Sequence, residues 1–302
     1  MSQSSILLQQ LIQGDRKALA RAITIVENDV DGCTEILFSL PRKNTVPVIG
    51  ITGPPGAGKS TLINALVRSY SESGKQVAVV AVDPTSPFNY GSLLGDRLRM
   101  SEHFTNPNVF IRSLATRGSL GGLSEKIIEI TDVIRAAGFD LIIVETVGVG
   151  QSEVEIAGLA DTTVVVVVPE SGDEVQTLKS GIMEIADIFV VNKSDREGAE
   201  HLQQNLKKLM SHPKHENWTV PVIKCAATQN QGVDELIAKI AEHAQSGAMQ
   251  TKKTYLLAEK AYRLIQQRRM KSIQKKALFE ALAEQASDPQ FNLYRFADQF
   301  NN

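Results

Sequence analysis

The chain has 302 residues, enough for two domains or for one large α/β domain with helical additions. Its 32 Lys and Arg against 34 Asp and Glu leave a formal charge of −2, which speaks against a bulk nucleic-acid coat or a polybasic membrane binder. The amino-terminal residues lack the basic start and apolar core of a secretory leader, and no uncharged apolar run approaches the ~18 residues of a membrane helix. Cys33 and Cys225 stand far apart with no C-x-x-C or Cys/His cluster. The expectation is a cytoplasmic protein with reduced thiols, no disulfide frame and no structural zinc.

Residues 1–45 read as a helical lead-in. Asp15 is placed as an N-cap, and Leu19, Ala22, Ile23 and Val26 recur at i, i+3, i+4, i+7 on one face. From 46 to 245, seven β-branched runs alternate with helical patterns: VPVIGIT, QVAVVAVD, NVFIRS, DLIIVET, TTVVVVVP, DIFVVNK and VPVIKCA. Near-continuous apolar strands separated by helices predict a mostly parallel central sheet covered on both faces.

The first run leads into Gly53-Pro54-Pro55-Gly56-Ala57-Gly58-Lys59-Ser60-Thr61 and then into a helical pattern, the setting of a P-loop. Its glycines let backbone N–H groups converge on phosphates, Lys59 neutralises β/γ charge, and the Ser60 hydroxyl suits Mg²⁺. The second run ends on Asp83 and the fourth on Glu145, with Gly148 three residues on. Both carboxylates stand at strand ends that face the ligand crevice of an open parallel sheet, where they can reach the metal shell, and the Gly148 N–H can sense the γ-phosphate.

Two loops read as switches. Residues 89–100 carry Asp96, Arg97 and Arg99, an acid and two guanidiniums suited to sensing Mg²⁺ and phosphate, and 170–181 carry Gly172, Asp173, Glu174 and Lys179 between a strand and a helix. The catalytic set expected from these readings is Lys59, Asp96, Arg99, Glu145 and Gly148, with Ser60, Asp83, Asp96 and Glu145 around the metal. Val149 follows Gly148 where many G proteins place a water-orienting Gln, so slow intrinsic hydrolysis raised by a partner is expected.

Base choice rests on Asn192-Lys193-x-Asp195 at the end of the sixth run. The Asp195 carboxylate can accept from guanine N1–H and the exocyclic amine, which adenine does not present, so GTP and GDP are expected rather than ATP. Cys225, Ala226 and Ala227 sit where the last base-contacting loop of a G protein belongs. His212 and His215 flank Pro213 without a third ligand and read as a solvated loop. After about 246 the pattern is helical to residue 302, and 252–276 holds nine Lys/Arg with Glu259 as the one acid, a basic solvated face.

The strings TGPPGAGKST, VAVDPTSP, GSLLGDRLRM, IVETVGVGQSE and NKSD, in this order, resemble the MeaB/ArgK-type GTPases of the SIMIBI class, the G-protein chaperones of adenosylcobalamin-dependent acyl-CoA mutases. The resemblance spans about residues 10 to 245. It implies a homodimeric, Mg²⁺-dependent GTPase that couples hydrolysis to loading and protecting cobalamin on a mutase of the methylmalonyl-CoA type, with no nucleic-acid or membrane partner. It also places the family's metal-associated acids on Asp83, Asp96 and Glu145, its phosphate loop on Gly53 to Thr61 and its guanine reader on Asn192, Lys193 and Asp195. Residues 1–45 and 246–302 would then be helical extensions of a G domain at 46–245, the second of them dimerising. The alternatives are a nickel-centre assembly GTPase, for which a Cys/His cluster would be expected, and a transport-associated kinase or ATPase, against which Asn192 and Asp195 speak.

Overall fold

All seven apolar runs form strands, which the computed structural model sets side by side in one sheet: β1 (Val48–Thr52), β2 (Val77–Asp83), β3 (Val109–Ala115), β4 (Leu141–Glu145), β5 (Thr162–Val167), β6 (Ile188–Val191) and β7 (Val222–Lys224). The structure describes residues 2–41, 46–83, 100–115, 126–148, 155–171, 182–211, 218–270, 272–285 and 291–300. The strand order is β3-β2-β4-β1-β5-β6-β7, and every pairing is parallel. Packing divides the chain into two compact units, Met1–Thr254 and Tyr255–Asn302.

Alternate side chains of each strand go to opposite faces. On one face Ile49, Ile51, Val77, Val79, Leu141 and Ile143 pack with α4 (Lys59–Glu72), α7 (Ala199–Leu209) and α8 (Val233–Gln245). On the other, Val48, Ala78, Val80, Ile142 and Val144 pack with α1 (Gln3–Ile12), α2 (Arg16–Glu27), α3 (Cys33–Phe38) and α5 (Ile127–Ala136). Between α5 and α7 lies the short helix α6 (Ile182–Ile185). With both faces covered, the central strands β1, β4, β5 and β6 are buried at every position, which is why their sequences show apolar runs and no alternation.

Helix α2 begins as its sequence predicts, with Asp15 Oδ1 accepting from Lys17 N–H at 2.7 Å and Ala18 N–H at 3.0 Å. Leu19, Ala22, Ile23 and Val26 are fully buried in the same cluster as the sheet. Truncating Leu19 to Ala therefore leaves a cavity in a shared core and should cost about 2–5 kcal/mol in urea denaturation. A loss under about 1 kcal/mol would place α2 outside that core.

Three aspartates tie the amino ends of the strands together. Asp140, Asp161 and Asp187 each stand one residue before a strand (β4, β5 and β6). Each donates its own N–H to a carbonyl of the neighbouring strand segment (Gln76, Val48 and Thr163, at 2.9, 2.8 and 2.9 Å). Each also accepts, on its carboxylate, the N–H of that same residue, at 2.7, 2.8 and 2.9 Å. The two-way bond satisfies ladder groups at the strand starts, which are buried at Asp161 and Asp187 and exposed at Asp140. These acids are structural and lie at the end of the sheet away from the P-loop.

The second unit comprises the greater part of α9 (Gly247–Met270) with α10 (Lys275–Gln285) and α11 (Leu293–Asp298). Asn292 caps α11 by accepting from Tyr294 and Arg295 N–H, and Phe296 is buried against Phe291 and Phe300. Leu257, Tyr262, Ile265, Met270, Phe279 and Tyr294 remain exposed. Among the described residues no helix is long and apolar enough to cross a membrane.

Candidate nucleotide site

The carboxyl end of β1 runs into the loop 53–58, and α4 starts directly behind it at Lys59. Two glycines are required here by contact and by backbone. Gly53 has φ +138, and a Cβ on it would run into the carbonyl oxygen of Val166 on the neighbouring β5. Gly148, beyond β4, has φ +86, and a Cβ there would strike Lys59 Nζ and Gly53 O. Gly148 and Lys59 are thus as close as glycine permits.

Lys59 is 7% exposed, and its Nζ donates to Gly53 O at 2.8 Å and Pro54 O at 3.2 Å. The ammonium is folded back over its own loop, on carbonyls that phosphate oxygens would replace as acceptors. Next to it Ser60 Oγ donates to Glu145 Oε1 at 2.8 Å, with both residues buried. Residues 85 apart in sequence meet because β4 pairs with β1, with Ile51 opposite Glu145. A hydroxyl and a carboxylate are the hard oxygen donors Mg²⁺ takes beside a nucleotide, so the pair fits the metal expected. Asp83 ends β2 two residues past Ala81, which stands opposite Glu145. Asp96, Arg97, Arg99, Val149, His212, His215 and the stretch 172–181 lie outside the described residues.

A second cluster forms at the end of β6. Asn192 Nδ2 donates to Ala57 O at 2.9 Å, and its Oδ1 accepts from Ala227 N–H at 3.3 Å. One buried side chain thereby joins the phosphate loop to the Cys225-Ala226-Ala227 segment. Lys193 takes the left-handed backbone (φ +54), Arg196 N–H closes on Lys193 O at 3.0 Å, and Ser194 N–H donates to Cys225 O at 3.0 Å. These bonds hold the backbone that carries the exposed Asp195.

Cys225 itself is fully buried, its Sγ donating to Gly232 O at 3.4 Å, and burial pushes its thiol pKa up to about 12. Burial, followed by a bond to Asp29, likewise raises that of Cys33. Both thiols stay neutral at pH 8 and should resist a disulfide reagent in the native protein, then react fully in urea. Fast labelling of either without denaturant would contradict the packing.

Sequence reading missed one buried pair in this site. Thr52 Oγ1 and Thr146 Oγ1 share a hydrogen bond at 2.9 Å, and Thr146 N–H donates to Ile51 O at 3.1 Å. The pair ties the residue before Gly53 to the residue after Glu145. The available signal was a threonine at the end of one apolar run, Thr52, and another directly after Glu145, Thr146.

A family model described as methylmalonyl Co-A mutase-associated GTPase MeaB matches residues 19–285. The chain belongs to the MeaB family. A protein of Pyrococcus abyssi named as a GTPase is 45% identical over 304 residues, covering 97% of this chain and 94% of the relative. GTPase ArgK of Escherichia coli is 38% identical over 240 residues, 76% of this chain and 72% of ArgK. The mitochondrial methylmalonic aciduria type A homolog of Caenorhabditis elegans is 36% identical over 257 residues, 78% of this chain and 64% of the homolog. Among solved structures, one described as a LAO/AO transport system kinase superposes with a TM-score of 0.71 at 24% identity, covering 100% of this chain and 98% of the other. At that identity the likeness shows the fold alone, and the fold is that of P-loop NTPases. This MeaB-family chain is a P-loop GTPase, and its fold implies guanine-nucleotide binding.

Proposed function

We propose that this MeaB-family GTPase binds GTP with Mg²⁺ and hydrolyses it to GDP and phosphate while assisting the loading and protection of adenosylcobalamin in an acyl-CoA mutase of the methylmalonyl-CoA type. The observation that carries the chemistry is the convergence of Lys59, Gly148 and the Ser60–Glu145 pair on the mouth of one phosphate loop. The name of the matching family model supports the client.

In this reading residues 53–61 cradle the phosphates through backbone N–H groups, and Lys59 leaves Gly53 O for the β/γ oxygens. Ser60 and Glu145 hold the metal together with Asp83 and Asp96. Mg²⁺, when bound, would neutralise β/γ charge and draw electron density from the bond that breaks. The Gly148 N–H donates to the γ-phosphate, Asn192, Lys193 and Asp195 hold the base with the segment 225–227, and Arg99 acts on the transition state. Water attacks phosphorus, the bond to the bridging oxygen of GDP breaks, and the water proton leaves with phosphate.

Val149 offers nothing to orient that water, so a partner that orders the loops 89–100, 147–155 and 170–181 supplies the positioning. We read residues 46–245 as the G domain, working as a cytoplasmic homodimer through the helical segment 246–302. The exposed apolar residues of that segment support an interface. The test is single-turnover GTP hydrolysis with and without the cobalamin mutase of the same organism. A rise of about 10²-fold or more is expected. No acceleration at saturating mutase, with the complex verified separately, removes the client as activator.

A further inference from the structure

Strand β3 ends the sheet, and among the described residues nothing pairs with it on the side away from β2. Val77 stands opposite Val109, and its N–H donates to Asn108 O at 2.8 Å. By the alternation of a parallel ladder, the main-chain groups of residues 110, 112 and 114 serve β2, and those of Ile111 and Ser113 turn outward. An open edge of this kind is a template for another chain, and proteins usually blunt it with Pro, Lys or a free charge. The run VFIRSLA has neither Pro nor Lys, and its one cation, Arg112, is tied to Glu27 of α2.

Along this edge runs a cleft of about 370 Å³, lined by Val109, Phe110 and Ile111, by Phe104 and Pro107 before the strand, and by Arg16 from the first turn of α2. Val109 and Ile111 pack toward one face of the sheet and Phe110 toward the other, so the cleft follows the edge itself. Phe104 is 57% exposed at its rim. Arg16 bonds Gln76 Oε1 and lies 4.0 Å from the centre of the Phe139 ring. Neither partner carries a charge, and Arg16 Nη1 makes no hydrogen bond. The cleft thus combines outward main-chain donors and acceptors, apolar seats on alternate sides and an uncompensated cation.

We propose that the β3 edge docks an extended acidic peptide segment of another protein, which adds as a strand beside Ile111 and Ser113, seats apolar side chains on Phe104 and Phe110, and sets a carboxylate against Arg16. In strand addition the main chain supplies affinity and alternate side chains supply specificity. Val109 pairs with the first residue of β2, so the cleft lies at the amino ends of the strands, whereas the phosphate loop leaves the carboxyl end of β1. The apolar seats and Arg16 therefore lie away from the phosphate loop, while Ser113 reaches the register of Ala81 and Glu145 two strands from β4, and the proposal stands independently of the mutase assignment.

The test is fluorescence polarisation of the full chain with a labelled Val-Glu-Val-Glu-Val-Glu peptide, its Lys-for-Glu counterpart and a backbone N-methylated version. Saturable binding of the acidic peptide with a Kd of about 10–100 μM is expected. Arg16→Gln should weaken it about tenfold, Phe104→Ala should weaken it further, and the other two peptides should not bind. Basal GTP hydrolysis should be unchanged in both variants, which shows that each is folded. Failure of the acidic peptide to saturate by about 1 mM, equal binding of the N-methylated peptide, or indifference to Arg16→Gln would overturn strand addition at this edge.

Discussion

Asp195→Asn shifts nucleotide preference from GTP toward xanthosine triphosphate, changing the ratio of the two affinities by about a thousandfold. In the proposed reading the carboxylate accepts from guanine N1–H and the exocyclic amine, whereas an amide brings a donor against those donors. Xanthine restores the match because its 2-oxo group accepts from the new amide N–H. The substitution is local, since Asp195 is exposed and the neighbouring bonds from Ser194 N–H to Cys225 O and from Arg196 N–H to Lys193 O use main-chain atoms that an Asn leaves in place. Competition binding with the two nucleotides measures the ratio, and unchanged GTP affinity in the variant removes Asp195 from base reading.

Glu145→Ala abolishes most of the hydrolysis, by about 10²–10³-fold, while nucleotide affinity falls by less than about tenfold. In the proposed reading phosphate binding rests on the loop N–H groups and Lys59, which the substitution does not touch. Glu145 instead accepts from Ser60 Oγ at 2.8 Å beside the loop, and in the proposed reading its negative charge there would support Mg²⁺ as charge develops on the β–γ bridge. Glu145→Gln keeps an acceptor for Ser60 without the charge and should fall between wild type and Ala, which separates electrostatics from packing. A wild-type steady-state rate for the Ala variant at about 1 mM Mg²⁺ would make Glu145 structural only.

Much of this molecule is legible along the chain because its signals are local. A strand buried on both faces must be apolar throughout, so the runs of β1, β4, β5 and β6 name their strands, while β3 and β7 are named by their β-branched content alone. Backbone that closes around a phosphate needs glycines at fixed spacing followed by a helix, so Gly53 to Ser60 announce their loop within eight residues. An N-cap acts over three residues, so Asp15 and the buried face of α2 were readable together.

What the tertiary structure decided are the meetings between segments far apart in sequence. No local pattern sets the order β3-β2-β4-β1-β5-β6-β7, because it depends on which apolar faces pack best once all strands exist. That order alone lays β4 against β1 and so brings Glu145 to Ser60 and Thr146 to Thr52. Likewise Asn192 reads in sequence as part of a base-contacting tetrapeptide, yet its side chain bonds Ala57 across 135 residues and Ala227 across 35. Nothing in the local sequence marks Asp140, Asp161 and Asp187 as ties, because the N–H groups they accept belong to neighbouring strands 64, 113 and 24 residues away. The physical reason is common to all of them: a hydrogen bond is specified by two partners, and the chain sequence shows each partner without the fold that puts them within hydrogen-bond reach of each other.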